Sequence, residues 1–414
     1  KACLADRVVA VYCLNPNQLQ IGSYGFPKLG AYRAQFLQES LMDLKQQLDA
    51  LNISLFILSE APQRCIPELI KSLQCTEMHL QREWTREETT ELLAVCKKLD
   101  KAILVSEHDD GFLFHPEDLP FKSIVDIPEI FTVFRKRCER ELKVRNPLPA
   151  PSPKAPWNRV DVPESSQNLQ GLSQEPLVPD SRTAFPFSGG SAGAWDRINT
   201  YFWEKKQLSF YKRTRNGLIG SAYSSKLSPW LANGGISARE IYREIKNYEL
   251  EIQKNEDTYW LFFELMWRDF FRFISKKHGN RIFYSGGILK NIPSFQSEHK
   301  HLKAWIEGQT ANDFINANMI ELSKTGWMSN RGRQNVASYL VRHLKQDWRI
   351  GAAWFEHMLI DYDVHSNWCN WMYNSGVGND PRDRTFNPDI QASRYDADGK
   401  FRKRWLQNSL FDSE

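Results

Sequence analysis

The alternation of apolar and polar positions changes character along the chain. In the first part, short apolar runs at Val8–Cys13, Leu55–Leu58, Glu77–Leu80 and Ala102–Ser106 are separated by stretches with apolar residues at helical spacing, Tyr32–Leu51, Pro67–Leu73 and Arg86–Leu99. Strands alternating with helices predict a parallel, doubly wound α/β sheet. From Asn146 to Phe187 the periodicity is lost. The run Pro147–Pro156 can propagate neither helix nor central strand, so this stretch reads as a connection over the surface. Beyond it the pattern is helical: Ala194–Asn216, Ser237–Gln253, Thr258–Lys277, Ala311–Ser323, Arg331–Leu344 and Trp348–Leu359. The expected organisation is an α/β domain over 1–143, a Pro-rich linker over 144–193 and an all-α domain over 194–414.

Composition narrows the class. At 414 residues the chain exceeds one ordinary core, and 41% hydrophobic with 25% charged residues is the balance of a soluble globular protein. A net charge of +4 gives no global field towards a polyanion. The seven Cys form no C-x-x-C pair and the nine His no metal-like spacing, so ordinary thiols in a reducing compartment are expected and no metal site. No apolar run approaches membrane-spanning length. The expectation is a cytoplasmic monomer with no membrane partner. Fourteen Trp is a high count, and every one but Trp84 lies beyond residue 150. That is either a large aromatic core or a cavity or electron path built from indoles.

Three constellations carry chemistry. Ser224, Ser225 and Ser228 precede Pro229, a residue suited to the first turn of a helix, so hydroxyls and free amides gather there with Tyr211 upstream; plain N-capping is the simpler alternative. In the apolar segment around Glu264, Trp267 and Arg268, the spacing of three puts Glu264 and Trp267 on one face, and the spacing of four lets Glu264 pair with Arg268. A buried Glu is a proton-donor candidate. Asn330, Arg331 and Arg333, followed by Asp361, Asp363 and Asn367, combine charges with amides that both donate and accept. That mix suits the edge of an isoalloxazine ring, although an Arg–Asp pair between helices can be pure architecture.

These residues sit in strings that resemble the photolyase/cryptochrome family, specifically its DASH branch. The strings include F-P-K-L-G-A-Y-R, D-L-P-F, Y-K-R-T-R-N-G, S-S-K-L-S-P-W-L-A, W-R-D-F-F, N-A-N-M, T-G-W-M-S-N-R-G-R-Q-N-V-A-S and G-V-G-N-D-P-R, in one order from Val8 to Trp405. The resemblance implies a deoxyribodipyrimidine photolyase-like carbon–carbon lyase holding FAD bent into a U. Phosphate contacts then fall on Tyr211, Ser224, Ser225 and Ser228, with Lys226 and Leu227 alongside and Arg268 close by. Arg333 and Asp361 brace the flavin, with Asp363 nearby, and Asn367 faces its N5.

The implied reaction is blue-light repair of cyclobutane pyrimidine dimers, preferentially in single-stranded DNA, with RNA as a further ligand. Trp267 would stack on the flipped-out dimer, Glu264 would bond or protonate it, and Asn330 would hold a base edge. Tyr373 stands where duplex-repairing relatives carry a second stacking Trp. The alternative output is a blue-light photoreceptor using the same pocket. Of the family's three electron-feeding tryptophans, Trp371 and Trp348 match the inner two. The outer position is Phe295, with Trp305 or Trp327 as the candidate substitutes. A folate antenna (5,10-methenyltetrahydrofolate) is a further implied cofactor. Glu83 and Glu87 lie in the matching region, although a solvated helix start explains both. Relatives open with a strand ahead of the segment matching Lys1–Asp6. A shortened form of a longer protein is therefore expected, which leaves a targeting segment open.

Overall fold

The computed structural model describes residues 1–166, 172, 177–290, 293–296, 299–380, 382 and 385–407. The first part alternates β1 (Ala10–Cys13), α1 (Ala31–Ala50), β2 (Leu55–Leu58), α2 (Pro62–Ser72), β3 (Glu77–Gln81), α3 (Arg86–Cys96), β4 (Leu104–His108) and α4 (Phe131–Glu141). The strands are parallel, as the pattern predicts, but they form two separate pairs. β1 lies beside β2 with Ala10 opposite Leu55, and β3 beside β4 with Glu77 opposite Leu104. Several expected boundaries move, among them those of β1, which starts at Ala10, and α3, which ends at Cys96. α2 starts at Pro62, whose missing N–H costs nothing in a first turn. β4 starts two residues late, because Asp100 accepts a bond from the Ala102 amide (2.9 Å) and holds a turn there.

The second part is helical: α5 (Gly190–Ile198), α6 (Tyr211–Thr214), α7 (Ser228–Asn233), α8 (Ala238–Glu251), α9 (Glu256–His278), α10 (His299–Ile306), α11 (Asp313–Thr325), α12 (Asn330–Ser338), α13 (Trp348–Met358), α14 (Val364–Ser375), α15 (Pro388–Tyr395) and α16 (Lys400–Leu406). The single helix expected over Ala194–Asn216 is broken. After a wide turn through Glu204, Lys206 adopts φ +50°, a left-handed conformation that no helix continues through. No helix among the described residues is long and apolar enough to cross a membrane.

The central helix α9 explains much of the packing. Its capping box at Asn255 and Thr258 fixes the start, and Leu261, Leu265, Met266, Phe270, Phe273 and Ile274 are buried along it. The main core extends from these helices to Phe112, Leu113, Phe114, Phe131 and Phe134 of the first part. The strands have only a small core of their own around Leu14, Leu29, Leu41, Leu55 and Ile57.

Asp269 fastens the two parts together. It has no solvent exposure, and it accepts bonds from the Leu113 and Phe114 amides at 3.0 and 2.8 Å. Burial pushes its carboxyl up to about 6, against the pull of those two amides and Arg268. Asp269→Ala would orphan both amides at about 1–3 kcal/mol each. A clear drop in the urea midpoint is expected, and an unchanged midpoint would remove Asp269 from this role.

Candidate functional site

A cavity of about 250 Å³ opens between α6, α7, α9 and the start of α12. Tyr211, Ser224, Ser225, Lys226, Leu227 and Ser228 form one wall, Glu264 and Arg268 another, and Asn330, Arg333 and Asp361 a third. A smaller lobe of about 90 Å³ shares Asn330, Arg333, Asp361 and Ser366 with it and adds Asp363, Asn367 and Trp371. Segments from Tyr211 to Trp371 therefore meet at one bent cavity.

The serine wall is built from behind. Buried Arg197 of α5 donates to the carbonyls of Ser221, Ser224 and Ser225 at 2.7, 2.8 and 2.8 Å. It holds the loop's carbonyls inward, away from the cavity. Plain N-capping is not what these hydroxyls do at α7. Leu227 is the N-cap and supplies no side-chain bond, while Ser228 Oγ donates to Asp361 Oδ2 at 2.7 Å. Lys226 adopts φ +56° and turns its ammonium inward over the Tyr223 ring, 3.0 Å from the centroid. Among the described residues that amine has no hydrogen-bond partner, and burial lowers its pKa well below the ordinary lysine range.

Asp361 is the hub of the third wall. Its Oδ2 also accepts from Arg333 Nη2 at 2.9 Å, and Arg333 Nε donates to the Met328 carbonyl at 2.9 Å. The expected Arg–Asp pair is present. Its other oxygen, Oδ1, is buried without a protein partner. Asp363 caps α14 by accepting from the Ser366 amide (2.8 Å), and it faces Arg272 at 3.3 Å. Against its burial, His365, Arg272 and Arg268 hold its carboxyl far below the usual range. Asn367 donates to the Ala352 carbonyl at 3.0 Å, so its amide oxygen is the group left for the cavity.

The pairing expected for Glu264 is different here. Its partner is Arg215 (2.7 Å), and Trp260 Nε1 donates to it at 3.1 Å. Arg268 instead donates to the backbone carbonyls of Gly111 and Leu231, at 2.5 and 3.2 Å. Helical spacing permitted the intrahelical pair; the bend around α6 brought a better-placed cation. Burial pushes the Glu264 carboxyl up, with Arg215 and the indole N–H pulling the other way. Its side chain keeps 27% exposure, because it looks into the cavity.

Not every expected site residue lines these lobes. Trp267 lies flat on Phe131, with centroids 3.7 Å apart and planes at 17°, and meets Tyr373 edge-on at 5.9 Å. Neither Trp267 nor Tyr373 contributes to either lobe. Trp371 lines the smaller one, while Trp348 and Trp305 are wholly buried behind it. Two contributors went unpredicted. Arg215 sits in the Y-K-R-T-R-N-G string, but nothing in spacing tied it to Glu264, and Arg197 carries no local signal at all.

Glu83 is not on a solvated helix start. It lies ahead of α3 and faces Arg272 (3.5 Å) and His365 (3.4 Å) at the edge of a further cavity of about 400 Å³. Its carboxyl is lowered: burial acts against it, but His365 and Arg272 win. Glu87 does sit in the first turn of α3, paired with Lys28.

A bent cavity with hydroxyls at one end and an Arg–Asp–Asn set at the other suits a nucleotide with a polar ring system, and comparison with known proteins names the class. Residues 1–154 match the DNA photolyase family model, and residues 260–409 match the FAD binding domain of DNA photolyase. The chain belongs to the photolyase/cryptochrome family and combines that family's N-terminal domain with its helical FAD-binding domain. Within the family it falls in the DASH branch. It is 46% identical to a Cryptochrome DASH of Gloeobacter violaceus, over 97% of this chain and 80% of that protein. It is 43% identical to one from Xenopus laevis, over 97% and 78%. The crystal structure of the Synechocystis sp. PCC6803 cryptochrome superposes with a TM-score of 0.90 at 42% identity, covering 97% of this chain and 83% of that one.

The cofactor of this domain is FAD, and the residues fit it. Asp361 Oδ1 and Lys226 Nζ are buried polar atoms that the described protein groups leave without a partner, and their residues line the cavity beside the serine wall. Arg197→Met should weaken FAD binding about tenfold or more, the scale of ~1.5–3 kcal/mol for lost charge-assisted bonds. Fluorescence titration of apoprotein with FAD reads this, and unchanged affinity would show that Arg197 does not hold the wall.

Proposed function

We propose that the chain is a blue-light-driven, FAD-dependent lyase for cyclobutane pyrimidine dimers, preferring single-stranded DNA. The observation that carries this reading is Glu264. It is an acid with a raised pKa, looking into the same cavity as the serine wall and the Arg333–Asp361 pair. Bound FAD supplies photoexcited electron donation to the dimer. The serine wall with Tyr211 and Leu227 holds its phosphates, Arg333 and Asp361 brace the ring system, and Asn367 offers an amide oxygen to it. Asn330, exposed at the first position of α12, is placed to hold a base edge. Glu264 keeps a proton within reach of the cavity, and Arg215 keeps the carboxyl oriented for its transfer.

A single-strand preference is supported by Tyr373, which offers one ring and a hydroxyl where a second indole would grip a base pulled from a duplex. A photoreceptor output has one specific observation in its favour. One face of Trp267, the residue expected to stack on a base, is covered by Phe131. Repair therefore requires Phe131 to yield or the base to meet the other face. The folate antenna is retained as a proposal for the interdomain side, where Glu83 meets Arg272 and His365.

The test is loss of thymine dimers from single- and double-stranded oligonucleotides under blue light, normalised to bound FAD. Loss confined to the single strand is expected. No loss with FAD bound would assign the photoreceptor output instead.

Glu264 gives a second test. A carboxyl whose pKa is raised keeps its proton to higher pH, so repair should be full at low pH and decline as pH rises through that raised value. Glu264→Gln should lower repair by roughly 10²-fold and flatten the profile. An unaltered pH profile in the variant would remove Glu264 from proton delivery.

A further inference from the structure

The expected indole route to the surface is broken by Phe295, since phenylalanine is far harder to oxidise than indole or phenol. Three tryptophans nevertheless gather where α13 packs on α14. Trp371 and Trp368 are three apart on α14 and share a face. Trp371 packs down onto Gly351 of α13 so closely that a Cβ there would lie 2.2 Å from its ring. One turn before Gly351, Trp348 meets Trp368 edge-on, with centroids 5.8 Å apart. Trp368 in turn meets Tyr24 at 6.5 Å. Tyr24 is only half-buried and lines an open cavity of about 450 Å³.

The rival direction ends inside the protein. Trp305 touches Trp371 at 6.2 Å, but it has no solvent exposure. Its only other described ring neighbour is Phe355. Trp327 stacks near Phe187 and Arg333 and has no described ring contact with Trp371.

We infer that Trp368 and Tyr24 replace the missing outer tryptophan, carrying oxidising equivalents from the Trp371–Trp348 pair to solvent. The inference rests on FAD occupying the proposed cavity beside Trp371. The balance is one electron. Trp371 would supply the electron that photoexcited oxidised FAD accepts when bound, and the vacancy would pass through Trp348 and Trp368 to Tyr24. Tyr24 releases its phenolic proton to water, and a thiol in solution then returns one electron while the proton is taken back. The Trp368 indole N–H donates to Tyr362 Oη at 3.3 Å, and Trp368 itself is only 5% exposed. Trp368 and Tyr24 both border the open cavity, but Tyr24 alone of the four is not buried, so its hydroxyl is the one best placed to meet water.

The experiment compares FAD-loaded wild type with Trp368→Phe, Tyr24→Phe, Trp371→Phe and Trp305→Phe under blue light with dithiothreitol. It follows flavin bleaching, and it follows the radical on the protein by electron paramagnetic resonance. Bound FAD is quantified in each variant first. Trp371→Phe should abolish photoreduction. Trp368→Phe and Tyr24→Phe should each slow it about tenfold or more, the response of a rate to a barrier raised by ~1.4 kcal/mol. The wild-type tyrosyl signal should vanish in Tyr24→Phe, a near-surface change that leaves the core intact.

Loss in Trp305→Phe with Trp368→Phe unaffected would overturn the inference and place the route through Trp305. A tyrosyl signal that persists in Tyr24→Phe would likewise overturn it. Wild-type photoreduction in Trp371→Phe, or failure of the wild type to hold FAD, would overturn the cavity assignment itself and the inference with it.

Discussion

The carboxylate of Asp361 is the point on which the site depends. One oxygen is shared between Arg333 of α12 and Ser228 of α7, which ties two helices to the loop ahead of α14. A charge buried this deeply is costly, and the pair adds little net stability by comparison with apolar packing. What it does is fix direction. With Oδ2 committed to the protein and Oδ1 left over, the group is oriented before any ligand arrives, so a bound flavin would face a preset acceptor.

The same economy of partners recurs around the cavity. Arg197 takes up the carbonyls of the serine loop from behind, and Arg215 takes the carboxylate of Glu264 from the side. Arg268, which helical spacing offered to Glu264, is spent on two backbone carbonyls. Each guanidinium satisfies a buried acceptor that would otherwise cost a few kcal/mol. Asp361 Oδ1 and Lys226 Nζ, which no protein group takes up among the described residues, belong to residues that line the larger lobe. The division of buried polar groups into satisfied and spare is what makes this region a site rather than a core.

Much of this was legible in the chain. Helix and strand periodicity located most elements, because burial imposes a period of 3.6 or 2 on any sequence that folds. The break at Lys206 and the two-residue shift of β4 were not legible, since one left-handed residue or one Asp turn leaves no mark on apolar spacing. The Ser224–Ser228 cluster and the Arg333–Asp361 pair were readable because several polar residues in apolar surroundings must find partners. Arg197 and Arg215 were not, because a single Arg in an ordinary helix or loop looks like a solvated charge.

The sequence by itself determined the class of protein, the helical character of the second half and which residue types collect in the site, since those follow from composition, period and motif. Only the tertiary structure decided which charge meets which: Glu264 with Arg215 rather than Arg268, Glu83 with Arg272 and His365, Trp267 against Phe131. The reason is physical. Spacing along one helix restricts partners to three or four residues away, whereas a buried charge or ring pairs with whatever the fold brings within a few ångströms, however distant in the chain.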